Sequence, residues 1–289
     1  MKIINPNVEL WEQTDEVNHV ARCARICYRK ETGNDGRLIQ NLKLRKHNSM
    51  FRHATYYFII PYKCVPKWLD DYFNAMCFGA KIIGIDINFV RGIYYVVTNG
   101  NWNLDHQGLF IDIKDYIVSA KEFTNAGEVV FNMMRYTFKI ITQISTSREL
   151  NRVSPNNISE QSTRYVYEDG TICRPHWMTM DEAEYLNTEP IFNDDWIENH
   201  AWAERYIQTV DNSFYKYKLL VVNKMSRQDA RGVLPLDTAT VCAYTYSVRE
   251  WRDIIDLRYY GTTGQPHPNA KIIAGMIREK LMNLGYEFR

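Results

Sequence analysis

The stretch "SEQSTRYVYEDG", residues 159–170, sets hydroxyls beside one carboxylate and one guanidinium and ends in aromatics. Read as an extended chain, it puts Glu160, Ser162 and Arg164 on one side and Gln161, Thr163 and Tyr165 on the other. The first face offers an acceptor, a hydroxyl that can donate or accept, and a forked cation in a row. Just upstream, "MRYTFKIITQIS" (134–145) reads as a strand.

Working outward, "EVNHVARCARICY" (16–28) places Val17, Val20, Ala21, Ala24 and Cys27 on one helical stripe. "HNSMFRHATYYFIIPY" (47–62) reads as a turn leading into a strand that Pro61 stops. Residues 67–79 and 114–135 read as helical, and "GIYYVVTNGN" as a strand ending in an Asn-Gly turn. The clearest period spans 194–224, where Trp196, His200, Ala203, Ile207, Val210, Phe214, Tyr217 and Val221 step by threes and fours. That seam predicts one long helix, and its apolar stripe suits either an internal core or a subunit interface. "VLPLDTAT" (233–240) follows, then a last helix near 268–284. With no repeat or low-complexity linker, the expectation is a single α+β domain over 1–289, a mixed or antiparallel sheet packed with long helices.

The chain has 289 residues, 45% of them hydrophobic, enough for a substantial core. A formal net charge of +1 gives no bulk field to attract a nucleic acid polymer, so an anionic ligand has to be held by a local cluster. The cysteines (Cys23, Cys27, Cys64, Cys77, Cys173 and Cys242) are scattered, without a CxxC pair or finger spacing. "MKIINPNVELWEQ" lacks the basic-then-apolar pattern of a signal peptide, and the longest apolar run is far too short to span a bilayer. These features lead us to expect a soluble cytoplasmic protein with no membrane partner.

Arginine supplies the first candidate chemistry. Arg148, Arg152 and Arg164 flank the opening motif, and Arg231, Arg249 and Arg258 recur towards the C-terminus. Arginine forks onto phosphate in a way lysine cannot, although any one alone reads as a solvated surface residue. Arg231 precedes an apolar "VLPL" run and Arg258 follows "WRDIIDL", which sets both apart from free surface positions. His47, His53 and His267 fall in no metal-ligating pattern, so they read as structural or stacking residues and no metal is expected. The sequence has no G-x-G-x-x-G, no phosphate-loop motif and no G-x-S-x-G, which excludes a Rossmann turn and a hydrolase elbow around Ser162.

Taken together these segments resemble the flavin-dependent thymidylate synthases. That family's signature is Arg-His-Arg, seven residues, then Ser-x-Arg-Tyr. "SRELNRVSPNNISEQSTRY" sets Ser162 on the signature serine, Arg164-Tyr165 on its tail, and Arg152, Val153 and Ser154 on the Arg-His-Arg positions. "ARCARICY" looks like the family's first helix and "KHNSMFRHATYYFII" like its histidine turn and following strand. "DARGVLPLDTATVCAYTYSVREWRDIIDLR" looks like its Ala-Arg-x-x-Leu-Pro segment and Leu-Arg ending. Residues 62–133 would then be an insertion relative to the shortest members.

The resemblance implies reductive methylation of dUMP to dTMP, with methylenetetrahydrofolate as one-carbon donor, FAD as cofactor and NADPH as reductant. It implies a homotetramer with shared active sites. It carries substrate binding onto Glu149, Arg152, Glu160, Gln161, Ser162, Arg164, Arg231, Leu257 and Arg258, with Arg258 and Ser162 as the catalytic pair. It carries cofactor binding onto His47, Ser49, Arg52, Arg152, Val153, Ser154, Ser247, Arg249 and Asp253. On this reading the Glu-Ser-Arg face holds a nucleoside monophosphate.

The departures gather on the flavin side. Val153 stands where His is usual, Ser154 where Arg is usual and Arg52 where Glu is usual, while Ser247 and Asp253 replace asparagines. Losing a charged ligand contact costs about 2–4 kcal/mol, so Arg52 is expected to supply the cation missing at Ser154. The same departures leave room for a related enzyme acting on UMP or dCMP, for one leaving a hydroxymethyl group, and for a nucleotide-binding paralogue without flavin chemistry.

Overall fold

A computed structural model describes residues 1–75, 84–88, 90–153, 156–188 and 194–289, the side chains of 73–75 and 194–201 apart. The fold is α+β. Its strands are β1 (Lys2–Ile4), β2 (Asn7–Trp11), β3 (Thr55–Pro61), β4 (Gly84–Asn88) and β5 (Ile93–Asn99), followed by β6 (Ile117–Val118), β7 (Arg135–Gln143), β8 (Ile158–Glu160), β9 (Thr171–Cys173) and β10 (Ala239–Ser247). They form an antiparallel sheet in the order β2-β7-β10-β8, a second antiparallel sheet β4-β5-β3-β6, and a parallel pair β1-β9.

The first sheet is buried on both faces. On one, Phe138, Ile140, Cys242, Tyr244 and Tyr246 pack against the helices Val248–Ile255 and Pro268–Asn283. Trp251 fills the middle, edge-on to Phe138 at 5.2 Å and to Tyr246 at 5.1 Å between ring centroids. On the other face, Trp11 and Ala243 meet Cys23 and Ile26 of the helix Glu16–Ile26. Tyr57, Tyr95 and Val97 of the second sheet join the first sheet's core, so the 62–133 stretch packs into the main body. No helix among the described residues is long and apolar enough to cross a membrane.

Several sequence expectations need correction. The buried stripe of the first helix runs through His19, Val20, Ala21, Cys23, Ala24 and Ile26, and Val17 is exposed. Asn99-Gly100 makes no hairpin turn; the Asn99 side chain accepts the Trp102 amide at 2.9 Å and starts the short helix Gly100–Asp105. The predicted 114–135 helix is broken into short turns around β6, because Ser119 opens a new capping box and Gly127 turns the chain at φ 81°. The predicted 67–79 helix is described as Lys67–Ala75, and its remainder lies outside the described residues.

The long helix is present as Asp194–Val222. Of its seam, Ala203, Ile207, Val210, Phe214 and Tyr217 are buried within the chain, and Ile207, Val210 and Phe214 pack on Ile3, Ile172 and Met178. The Trp196 and His200 side chains lie outside the described residues.

The extended reading of 159–170 holds only to Glu160. Gln161 is bonded inward to the Glu168 carboxylate at 3.2 Å, and the chain turns where the Ser162 carbonyl accepts the Tyr165 and Val166 amides. Arg164 therefore leaves the Glu160–Ser162 face.

Candidate active site

A cleft of about 580 Å³ opens where β8 ends, within the roughly 300–1,000 Å³ typical of small-molecule sites. Pairing of Glu160 with Cys242 across β8 and β10 delivers the carboxylate to its wall. The turn then presents Ser162 and Thr163, with the Ser162 amide fixed to the Cys27 carbonyl at 3.1 Å. The "VLPLDT" segment forms the opposite wall. Its Leu236 and Thr238 carbonyls accept the Ser145 and Ile144 amides, the free donors at the start of the helix Ile144–Leu150. One turn along that helix from Ile144, Arg148 enters the cleft. Arg231 reaches in from beyond, donating to the Thr163 hydroxyl at 3.1 Å.

The cleft thus pairs two guanidiniums with two hydroxyls around one half-buried carboxylate. Arg148 and Arg231 make no ion pair among the described residues, so both remain available to an anion. Glu160 accepts from Ser147 at 2.8 Å and Thr240 at 3.2 Å. Burial raises its carboxyl above the ordinary value, and those hydroxyls only partly oppose the shift. Arg148 stands among the candidate arginines of the sequence but outside the substrate-binding set the resemblance implies, and Thr163 stands in neither. Arg148, four positions before Arg152, was legible in that spacing; Thr163 was not, because the expected strand pointed it away.

A second cluster sits at the other end of the same helix. Glu149 takes Arg258 at 3.0 Å and Arg152 at 3.4 Å, and its carbonyl accepts the Arg258 Nε–H at 2.7 Å. Burial, with Arg152 adding repulsion, lowers the Arg258 pKa, and Glu149 opposes this. Leu257 and Arg258 lie in the π-helical turn Asp256–Tyr260, a local widening that recurs at functional sites. Arg164 stands apart from both clusters, donating to Gln228 at 2.9 Å.

The predicted cofactor residues separate. His47 and Ser49 line a cavity beside Cys27. Arg52 donates to the Asn156 carbonyl at 3.3 Å, and Val153 packs against the core. Ser154 lies outside the described residues. The Ser247 hydroxyl is occupied by Glu250 in a capping box, while Arg249 and Asp253 lie a turn apart on the exposed side of that helix. For a flavin diphosphate, Arg52 and Arg249 fit, as neither guanidinium has a carboxylate partner among the described residues. Val153 offers the group no polar atom, and Ser247 offers support to the helix. No set of three or more metal-ligating His, Cys, Asp or Glu side chains exists among the described residues.

Comparison with known proteins places these features in a family. No curated sequence matches the chain. Among solved structures it is similar to the UMP/dUMP methylase PolB from Streptomyces cacaoi bound with 5-Br dUMP, at 16% identity and TM-score 0.46 over 98% of this chain and 93% of that one. The same protein bound with 5-Br UMP gives 16% identity and TM-score 0.45 over 98% and 92%. A family model described as thymidylate synthase complementing protein matches residues 116–283, more than half of the chain. That span takes in both walls of the cleft and the Glu149–Arg258 cluster, and leaves outside it the "ARCARICY" and "KHNSMFRH" segments. The chain belongs to the thymidylate synthase complementing protein family.

Proposed function

We propose that the protein is a pyrimidine-nucleotide C5-methylase that converts dUMP to dTMP. The observation that carries this reading is the cleft itself: Arg148 and Arg231 unpaired beside the Ser162 and Thr163 hydroxyls, inside the family-matched span. Two forked cations and two hydroxyls are the kind of donors that a phosphate's oxygens accept from. Glu160, held by Ser147 and Thr240, fixes the floor of the cleft and orients the sugar. Arg258, positioned by Glu149 against the repulsion of Arg152, supplies positive charge at the pyrimidine edge, where uracil gains negative charge during attack.

In that reaction uracil C5 gains the one-carbon unit of methylenetetrahydrofolate and loses its proton. When bound, reduced FAD, restored by NADPH, supplies the hydride that completes the methyl group. Arg52 and Arg249 would hold the flavin's diphosphate. The homotetramer belongs to the same proposal; Trp202, Tyr215 and Val222 leave apolar surface exposed on the long helix, and light scattering tests it.

The deciding experiment titrates the protein with dUMP, UMP and deoxyuridine, and repeats the series with Arg148→Ala and Arg231→Ala. Each substitution is expected to weaken dUMP by roughly 10- to 100-fold, the equivalent of about 1.5–3 kcal/mol for a charged hydrogen bond, and to leave deoxyuridine unchanged. Equal affinity of the parent protein for dUMP and deoxyuridine would overturn the reading.

A further inference from the structure

The loop that presents Ser162 and Thr163 to the cleft is closed at its base by two buried side chains. Gln161, where the chain leaves β8, is 7% exposed, and Glu168, where the loop ends, is 4% exposed. The Gln161 Nε2 donates to both Glu168 carboxylate oxygens, at 3.2 and 3.3 Å. Residues 162–167 are held between them in the closed form of an Ω-loop. Within it, the Ser162 carbonyl accepts the Tyr165 and Val166 amides at 3.1 and 2.9 Å.

Burying a carboxylate works against folding unless partners hold it. Glu168 makes no ion pair among the described residues, and Arg29 pairs instead with Asp169 at 3.0 Å. Burial raises the Glu168 carboxyl; Gln161 and Arg29 oppose this and Asp169 adds to it. Beside it lie Ile4, Ile141, Ala239 and Val241, walls that an apolar side chain would suit as well. An apolar side chain has no oxygen for the Gln161 NH₂, so what the carboxyl adds is the closure. Alternation along β8 sends Glu160 to the cleft, and the next residue, Gln161, borders the cleft with its amide committed to Glu168. The Ser162 amide is tied to the Cys27 carbonyl, and the Thr163 hydroxyl accepts from Arg231. A shift at the loop's base therefore moves both hydroxyls and disturbs Arg231 with them.

We propose that Glu168 is a positioning residue for the nucleotide: through Gln161 it holds the loop closed, and the closed loop sets the Ser162 and Thr163 hydroxyls where a phosphate accepts from them. Glu168 itself stays out of reach of the ligand. The phosphate rests on the proposed function, whereas the closure does not.

The test titrates the parent protein, Glu168→Ala, Glu168→Gln, Gln161→Ala and the double alanine variant with dUMP and with deoxyuridine, beside thermal melts. Glu168→Ala is expected to weaken dUMP by roughly tenfold and to leave deoxyuridine within about twofold, a selectivity that a structural role alone would not produce. Glu168→Gln keeps an acceptor oxygen for the Gln161 NH₂ and is expected to recover most of that affinity. The double variant is expected to lose no more than Glu168→Ala, because the two side chains act as one unit. If Glu168→Ala does not fold, Glu168→Leu fills the space without an acceptor and is expected to show the same selective loss. Undiminished dUMP affinity, equal loss for both ligands, no recovery in Glu168→Gln, or additive losses in the double variant would each overturn the proposal. A parent that binds dUMP and deoxyuridine equally overturns the nucleotide reading instead. Hydrogen exchange then still tests the closure: the Tyr165 and Val166 amides are expected to exchange faster in Glu168→Ala and not in Glu168→Gln, and no acceleration would overturn it.

Discussion

At the scale of single residues, Glu160 shows how a site can work against stability. Its carboxyl is half-buried at the strand end and raised by desolvation, which the Ser147 and Thr240 hydroxyls, the Cys242 thiol and the Arg148 charge only partly oppose. A carboxyl whose folded pKa is raised stabilises the fold below its unfolded value and loses that contribution as pH rises through the folded pKa. At neutral pH the ionised group is therefore a liability to folding. Glu160→Gln keeps the shape and an acceptor oxygen, and is expected to leave the thermal midpoint at pH 7 unchanged or higher. Nucleotide turnover should fall by roughly tenfold or more, since the charge facing the cleft is gone. Thermal melts beside steady-state assays separate the outcomes; a lower midpoint with full turnover would make Glu160 a structural residue.

At the scale of elements, the capping box at Ser247 separates support from contact. Ser247 Oγ donates to Glu250 at 2.8 Å and accepts the Glu250 amide at 3.3 Å, and the helix it starts carries Trp251 into the core. Ser247→Ala should cost about 1 kcal/mol of stability, and Ser247→Asp, which also caps, should restore most of it. If flavin affinity follows stability through both variants, Ser247 acts on the cofactor only through the helix. A loss in the aspartate variant alone would indicate direct contact with the flavin's negative charge. The same element logic explains what was legible in the sequence. The β7 strand and the two long C-terminal helices announce themselves because many periodic positions agree. Asn99-Gly100 misleads because a hairpin turn and a helix cap use the same residue types; here glycine is required by space, since a Cβ would meet the Phe51 carbonyl at 2.9 Å. The turn at Ser162 is set by a distant carbonyl, that of Cys27, which no local pattern encodes. Hence Glu160 and Ser162 could be read as neighbours of a ligand, while Thr163 and Arg164 exchanged roles.

At the scale of the whole molecule, a buried polar seam ties the elements beneath the cleft and sets the response to acid. His53 bonds Thr245 at 2.7 Å and Ser159 at 3.0 Å, Thr245 bonds Thr137 at 2.7 Å, and Thr137 bonds His19 at 2.9 Å. Arg135 lies alongside, donating to the Arg52, Ala54 and Thr245 carbonyls and to Thr55. Burial pushes His53 down to about 3, with repulsion from His19 and Arg135. Burial also pushes His19 down to about 4, with Arg22 and Arg135 lowering it and the Glu12 carbonyl and Asp15 opposing. Both are neutral bases in the native state, with folded values below the ordinary 6.5. The unfolded chain therefore binds more protons than the folded one as pH falls below 6.5. Stability is fully present above that value and declines towards pH 4, by up to about 1.4 kcal/mol per pH unit for each histidine. Urea denaturation at pH 7.5, 6 and 5 should show this fall, and the double variant His19→Gln/His53→Gln should flatten it whatever its stability at pH 7.5. An unchanged slope in that variant would move the acid response away from this seam and onto the carboxylates. Because the seam joins the helix Glu16–Ile26, the turn before β3 and the strands β7, β8 and β10, its protonation should loosen the cleft and the cavity beside Cys27 together, so affinity for UMP is expected to drop in the same pH range as stability.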